Sequence, residues 1–349
     1  VPMRATRVPS GILLAAAALA ATLLTPGLGQ APQLPRSVTI GSNPPGTGFY
    51  AVASGISKVL SGVVPFQIAV QPYSGSSTFL PLLNTGELEF GINNAVDMAL
   101  AYRGSSLKIG GRNPFPHTPD VRMAIRGHAL TVGLLVRKDS PIKTIHEIKG
   151  KRTTGEYPAH LAVWYNMFGH LASAGLTWDD VKVVPVPAVN EGLDALVQGR
   201  ADVSIHALNT AKVKEADATV GVRHISGDCS REGEERLRRV VPGYYFKSLK
   251  AGSATALVED TCVIAYDIYL TVSKKVTDAV VGTLLKGVWD NFEKLHPIHP
   301  HLKEWTRERA VTADVTIPYH PGAIRFYRER GVWTKELDRA QEKLLAANR

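Results

Sequence analysis

Apolar positions along the chain alternate between two rhythms. Short apolar-rich runs at residues 38–40, 66–70 and 88–92 read as strands. Between them the spacing becomes helical. Val52, Ile56, Val59 and Leu60 predict a helix over 49–60 that stops at Gly62. A second helix opens at Ser76 or Ser77, either of which can cap it, carries Pro81 near its first turn and closes on Gly86. Residues 40–97 therefore read as strand, glycine-rich loop, helix, strand, capped helix, strand, helix. The two loops, 41–50 and 71–77, each follow a strand and open a helix. In an α/β sheet such loops gather at the carboxyl ends of the strands, where ligands bind. Glycines admit close backbone approach, and free N–H groups at helix starts attract anions. The stretch is expected to form half of a small-anion site.

The same unit occurs again. Residues 77–92 and 190–205 align at a constant offset: Leu80 with Leu193, Leu83 with Leu196, Gly86 with Gly199, and Glu89 with Asp202. Ser77 and Asn190 stand as capping residues at the two openings. A strand near 151–154, a loop 154–158 and a helix to about 174 precede the second copy, mirroring the first half. Two similar halves imply two lobes. The chain is expected to cross between them in the β-type run 131–136 and to return through 261–272. This places lobe I at 30–130 and 263–349 and lobe II at 131–262. A helix over 273–294 and further helices near 302–309, 323–330 and 335–347 would pack back on lobe I. A double crossover suggests hinged closure on a ligand.

A chain of 349 residues with 44% apolar content is long enough for two cores. Arg4 and Arg7, an apolar run over 12–24, and Gly27 and Gly29 match a secretory leader, expected over residues 1–29, with a periplasmic location for the remainder. Removing it lowers the net charge from +9 to +7. The remaining cations are dispersed and not interleaved with aromatics, so no nucleic-acid partner is expected. An exported chain permits a disulfide between Cys229 and Cys262, although spacing alone does not bring them into reach. There is no G-x-S-x-G elbow, H-E-x-x-H helix or Walker loop, and no catalysis or cofactor is expected. His296, His299 and His301 are separated by prolines that break any aligning helix, so no metal is expected there.

Three segments carry a family resemblance: Gly46-Thr47-Gly48-Phe49-Tyr50; the stretch 74–91, Ser-Gly-Ser-Ser followed by Leu-Leu-Asn-Thr-Gly-Glu-Leu-Glu-Phe-Gly; and 317–331, Ile-Pro-Tyr-His-Pro-Gly-Ala-Ile-Arg-Phe-Tyr-Arg-Glu-Arg-Gly. In these the chain resembles the TAXI family, the solute-binding subunits of TRAP transporters. The resemblance implies a two-lobed type II periplasmic-binding-protein fold, α/β in class, with hinge strands and a ligand cleft between the lobes. It implies delivery of a dicarboxylate, oxo acid or acidic amino acid to membrane subunits; the protein is expected to be a monomer. The chain departs from the family pattern at Thr153-Thr154-Gly155-Glu156-Tyr157 and at His206-Ala207-Leu208-Asn209. Related readings are a binding protein of an ATP-driven importer and a ligand-presenting partner of a membrane sensor kinase. An enzyme on the same scaffold is the reading of a different class.

The expected ligand contacts follow. Ser42, Thr47, Gly48, Phe49 and Tyr50 surround the first helix start, and Ser74, Ser76 and Ser77 the second. Asn94 ends the third strand, with alternation turning only one of Asn93 and Asn94 inward. Thr154, Gly155 and Glu156 form the counterpart loop in lobe II, and His206 and Asn209 the counterpart strand end. Each has a structural alternative: a cap, a core aromatic, or a hydrogen-bonded buried histidine.

Overall fold

The computed structural model describes Val1 and residues 34–347; the rest of the expected leader lies outside the described residues. Strand β1 (Ser37–Ser42) leads into α1 (Gly48–Leu60). Thr47 caps this helix, its Oγ1 accepting the Tyr50 N–H, and the helix buries Phe49, Val52, Ile56 and Leu60 on one side. Then come β2 (Gln67–Pro72), α2 (Ser76–Thr85), β3 (Phe90–Asn94) and α3 (Ala95–Arg103). β2, β1 and β3 pair in parallel, as helical crossovers require.

Two serines were expected to cap α2, but its N-cap is Gly75 and no side chain caps it. The Ser76 hydroxyl is instead donated to the buried carboxylate of Asp97 at 2.6 Å. Asp97 has no exposed surface and so depends on donors such as this one inside the fold. Pro81 is the sixth residue of α2 and not in its first turn.

The long strand β4 (Val121–Arg137) follows. Next are β5 (Arg152–Glu156), α4 (Leu161–Ser173), β6 (Lys182–Val186), α5 (Val189–Val197), β7 (Ser204–Ala207), α6 (Ala211–Val220), β8 (Val222–Ile225), α7 (Arg231–Val240) and β9 (Tyr245–Leu249). The chain returns through β10 (Thr261–Ser273). β10 lies antiparallel between β3 and β4 along the middle of an eight-stranded sheet, with the order β2-β1-β3-β10-β4-β7. β8 adds to β4 and β9 to β10, while β5 and β6 form a separate parallel pair. The recurring helix–glycine–strand unit is present as α2–β3 and α5–β7, and its two closing glycines are left-handed (Gly86 φ 81°, Gly199 φ 70°). Ala188, not Asn190, is the N-cap of α5.

The β4–β10 ladder is bulged. Asp267 faces Ala129 and Tyr269 faces Arg126, so two residues, Gly127 and His128, oppose Ile268. Trp305, fully buried, lies against Gly127 and donates its indole N–H to His128 Nδ1 at 3.1 Å. Arg126 and Arg309 both pair with Asp267 beside the bulge.

The single helix expected over 273–294 is broken into α8 (Asp278–Trp289) and α9 (Phe292–Leu295). Asn291 donates its side-chain amide to the Gly287 carbonyl and draws that carbonyl away from the helical ladder. The chain ends with a 3-10 turn at Pro300–Glu304, α10 (Arg307–Ala310), α11 (Pro321–Glu329) and α12 (Lys335–Ala346). Among the described residues no helix is long and apolar enough to cross a membrane.

Cys229 and Cys262 form a disulfide joining the entry of α7 to β10, with Cα atoms 6.3 Å apart and a sequence separation of 33. Closing a loop of that length restricts the unfolded chain, and Cys229→Ser is expected to lower stability by about 3–4 kcal/mol. Chemical denaturation of the oxidised protein and the variant measures this. Equal midpoints would show that the bridge adds nothing.

Candidate functional site

A small, partly open cavity of about 30 Å³ lies where the β1–α1 loop meets α4 and the end of β7. Thr47, Gly48 and Phe49 line it from the first half of the chain, with Asn43 beside them. His160, Asn166 and His206 line it from the other half, and Tyr266 of β10 forms part of the wall. None of its described lining side chains is Lys, Arg, Asp or Glu.

The two sides touch through a small set of polar contacts. The side chains of Asn43 and His160 meet at 3.1 Å (Nδ2 to Nε2). Ser77 Oγ donates to the Ala159 carbonyl at 3.4 Å, and Asn190 Nδ2 to the Pro45 carbonyl at 3.2 Å. The Lys212 N–H donates to the Gly46 carbonyl at 3.3 Å, and the His301 ring reaches the Leu208 carbonyl at 2.9 Å. Gly75 sits so close to residues 159–160 that a Cβ there would overlap the Ala159 carbonyl oxygen and stand 2.7 Å from His160 Cα.

Burial keeps the histidines of the cavity uncharged. It pushes His160 down to about 3, helped by nearby His206, and His206 down to about 4. His206 is further engaged with Thr210 Oγ1 at 3.1 Å and Asn190 Oδ1 at 3.3 Å. Burial also raises the Tyr266 phenol, and Asp97 raises it further. Tyr266 donates to Asn166 Oδ1, and Asn166 donates to Tyr244, whose ring stacks on that of Tyr266 at 5.0 Å. Asp97 has no exposed surface and is pushed up to about 7 by burial, against the pull of hydrogen bonding by Ser76.

The expected ligand contacts divide into groups. Thr47, Gly48, Phe49 and His206 come together at the cavity. The Thr47 hydroxyl serves its own helix start, donating to the Pro44 carbonyl at 2.7 Å. Ser42 is buried next to the cavity residue Asn43 and donates to its carbonyl. Tyr50 is half-buried and lies outside the lining. Ser76 and Asn94 gather around Asp97, with Asn94 capping α3 by accepting the Asp97 N–H at 2.8 Å. Asn93 donates to Thr271. Ser77 is at the contact with Ala159, whereas Ser74 lies in an open depression beside Tyr73. Thr154 is buried beneath Tyr157, whose hydroxyl donates to it at 2.5 Å. Gly155 packs against Trp178 and Val183, and Glu156 is exposed with a left-handed backbone (φ 68°). Asn209 lines a separate cavity of about 180 Å³ with Lys247, His301 and Glu304.

Sequence reasoning passed over Asn43, His160, Asn166, Tyr266 and Asp97. Asn166 carried a readable signal, a lone amide within the otherwise apolar run of α4. The rings of the histidine trio have other engagements: His296 bonds the Trp305 carbonyl, and His301 stacks on His128 at 4.8 Å. Among the described residues no group of three or more His, Cys, Asp or Glu is arranged to hold a metal.

Residues 40–331 match the NMT1-like family. Among solved structures, one described as a periplasmic transporter is 12% identical over 88% of this chain and 95% of its own, with a TM-score of 0.53. PhnD1 from Prochlorococcus marinus, in complex with methylphosphonate, is 10% identical over 85% of this chain and 99% of its own, also at 0.53. MatC from Rhodopseudomonas palustris, with bound malate, is 13% identical over 90% and 99%, again at 0.53. At these identities the likeness is one of fold, the α/β fold of periplasmic binding proteins.

Proposed function

The chain belongs to the NMT1-like family, and from that premise we propose that it is an extracytoplasmic solute-binding protein that closes two lobes on a small organic solute and delivers it to a membrane transporter. The observation that carries this reading is the small, largely apolar cavity with a few polar side chains in its wall, spanned by separable hydrogen bonds between the residue 43–77 region and the residue 159–212 region. Lobe I would comprise residues 30–130 and 263–349, and lobe II residues 131–262. The bulge of Gly127 and His128 against Ile268 is suited to serve as the hinge, since a bulge loosens a ladder locally without cutting it. The disulfide fits an oxidising compartment such as the periplasm.

The three segments at 46–50, 74–91 and 317–331 favour TRAP-type membrane subunits as the recipient. In the last, His320 caps α11 by accepting the Gly322 N–H. A wall without cationic side chains holds a net-neutral solute more readily than a dicarboxylate, whose two buried charges would lack partners. Among the anticipated solutes a zwitterion therefore fits best.

The test is to denature natively purified protein, identify the released small molecules by mass spectrometry, and add them back. A true ligand is expected to raise the melting temperature by mass action and to reduce the radius of gyration in X-ray scattering. Conversion of the solute to a product, or binding with no compaction, would overturn the proposal.

A further inference from the structure

Asn43 and His160 meet side chain to side chain across the cavity, and both line it. Asn43 is 1% exposed and His160 5%. Their mutual contact uses one polar atom of each, and the other two, Asn43 Oδ1 and His160 Nδ1, are buried without a partner. A neutral imidazole has one donor and one acceptor nitrogen. With Asn43 Nδ2 donating to His160 Nε2, the ring proton must sit on Nδ1. The pair then leaves one acceptor, the Asn43 carbonyl oxygen, and one donor, the His160 Nδ1–H. Turning the amide over exchanges the roles without changing the outcome: the imidazole donates through Nε2, its Nδ1 accepts, and the amide offers a donor. In both arrangements the pair is left with one donor and one acceptor unmade. Leaving both buried and unmade costs free energy that a solute can relieve.

We infer that the solute presents an amide-type edge, one hydrogen-bond donor beside one acceptor, to Asn43 and His160, as a carboxamide or lactam does. The inference rests on the reading of this cavity as the solute site. A carboxylate has acceptors only and would leave one of the two wall atoms unpaired while adding a buried charge. An ammonium group has donors only and fails in the opposite sense. Phe49, Leu130 and Val163 complete a wall suited to the apolar remainder of a small uncharged or zwitterionic molecule.

Matched pairs test the assignment. Acetamide, propionamide, 2-pyrrolidinone and glutamine are titrated by calorimetry and thermal shift against acetate, propionate and glutamate. At least one amide is expected to bind ten or more times tighter than its acid. Asn43→Leu is expected to remove that preference. Asn43→Asp replaces the amide by an acceptor-only group beside an imidazole that can then offer its second acceptor. It is expected to lose the amide and gain acetamidine, which has donors on both nitrogens. The gain separates altered recognition from misfolding. Acids binding as tightly as amides would overturn the inference while leaving the solute-binding reading intact. A panel that fails entirely, beside a native ligand that does compact the protein and lacks an amide-type edge, would overturn it equally. Absence of any compacting ligand would remove the solute-binding reading itself.

Discussion

Gly75→Ala is expected to yield a folded protein that cannot close. Gly75 has an extended backbone (φ −176°), which any residue adopts, so alanine introduces no local strain. The obstacle is across the cleft: the added methyl would overlap the Ala159 carbonyl and press on the His160 backbone. Backbone cannot rotate away as a side chain can, so the two sides must separate. Separation also parts Ser77 from Ala159 and Asn43 from His160. If the closed form is cut to about 1% of its former population, apparent affinity falls by roughly 100-fold. Gly282→Ala, in α8 with no atom near the new methyl, is the control and is expected to bind normally. Titration of both variants with the ligand recovered from the native protein, alongside X-ray scattering, reads the result. Tight binding by Gly75→Ala with full compaction would show that residues 75 and 159–160 do not gate the site.

The second large effect concerns Asp97→Asn. The Asp97 carboxyl is wholly buried and accepts from Ser76, but its Oδ1 has no partner. Burial raises it from an ordinary carboxyl value to about 7. Because the folded state holds the proton more tightly than the unfolded chain, this group's contribution to stability is fully present below about pH 4 and is lost as pH rises through 7. The full loss is about 4 kcal/mol, from the size of the shift. Asparagine keeps the shape and can still accept from Ser76, yet never ionises. Asp97→Asn is therefore expected to raise the melting temperature clearly at pH 8 and hardly at pH 4. Taking the difference between the two proteins at each pH cancels the opposite contribution of the buried histidines. An equal gain at both values would mean that ionisation of Asp97 is not what destabilises the native protein.

How far the chain could be read in advance follows from the range of the forces involved. β1, α1, β2, α2 and β3 were legible because strand and helix spacing, and stops such as Gly62 and Gly86, are local. The glycine closures of α2 and α5 came out for the same reason, each occupying a left-handed position that other residues avoid. Caps were read less well. Ser76 had a stronger partner in Asp97, and that partner lies outside its own helix. The recurrence of a helix–glycine–strand unit suggested two related halves, but not that β5 and β6 would stand apart from the main sheet. Thr47, Gly48, Phe49 and His206, expected as ligand contacts from their places at helix starts and strand ends, lie at the cavity. Asn43 and His160 were not expected, because their significance arises only when residues 117 apart in sequence meet side chain to side chain. The anion expectation rested on helix-start N–H groups. The absence of a cationic side chain from the cavity lining emerges only when the second half of the chain is in place.

The β4–β10 ladder also governs the order of assembly. Val132 pairs with Ile264, and everything from β5 to β9 lies between them in sequence. Closing so long a loop costs entropy before any ladder bond repays it, which makes pairings of this kind late events in folding. The intervening segment can collapse on its own shorter contacts first, with β10 then locking between β3 and β4. A nascent chain that stops short of β10 has no centre to its sheet, and β3 and β4 are each left with one unpaired side. The sheet thus reaches its final form only once β10 has been made.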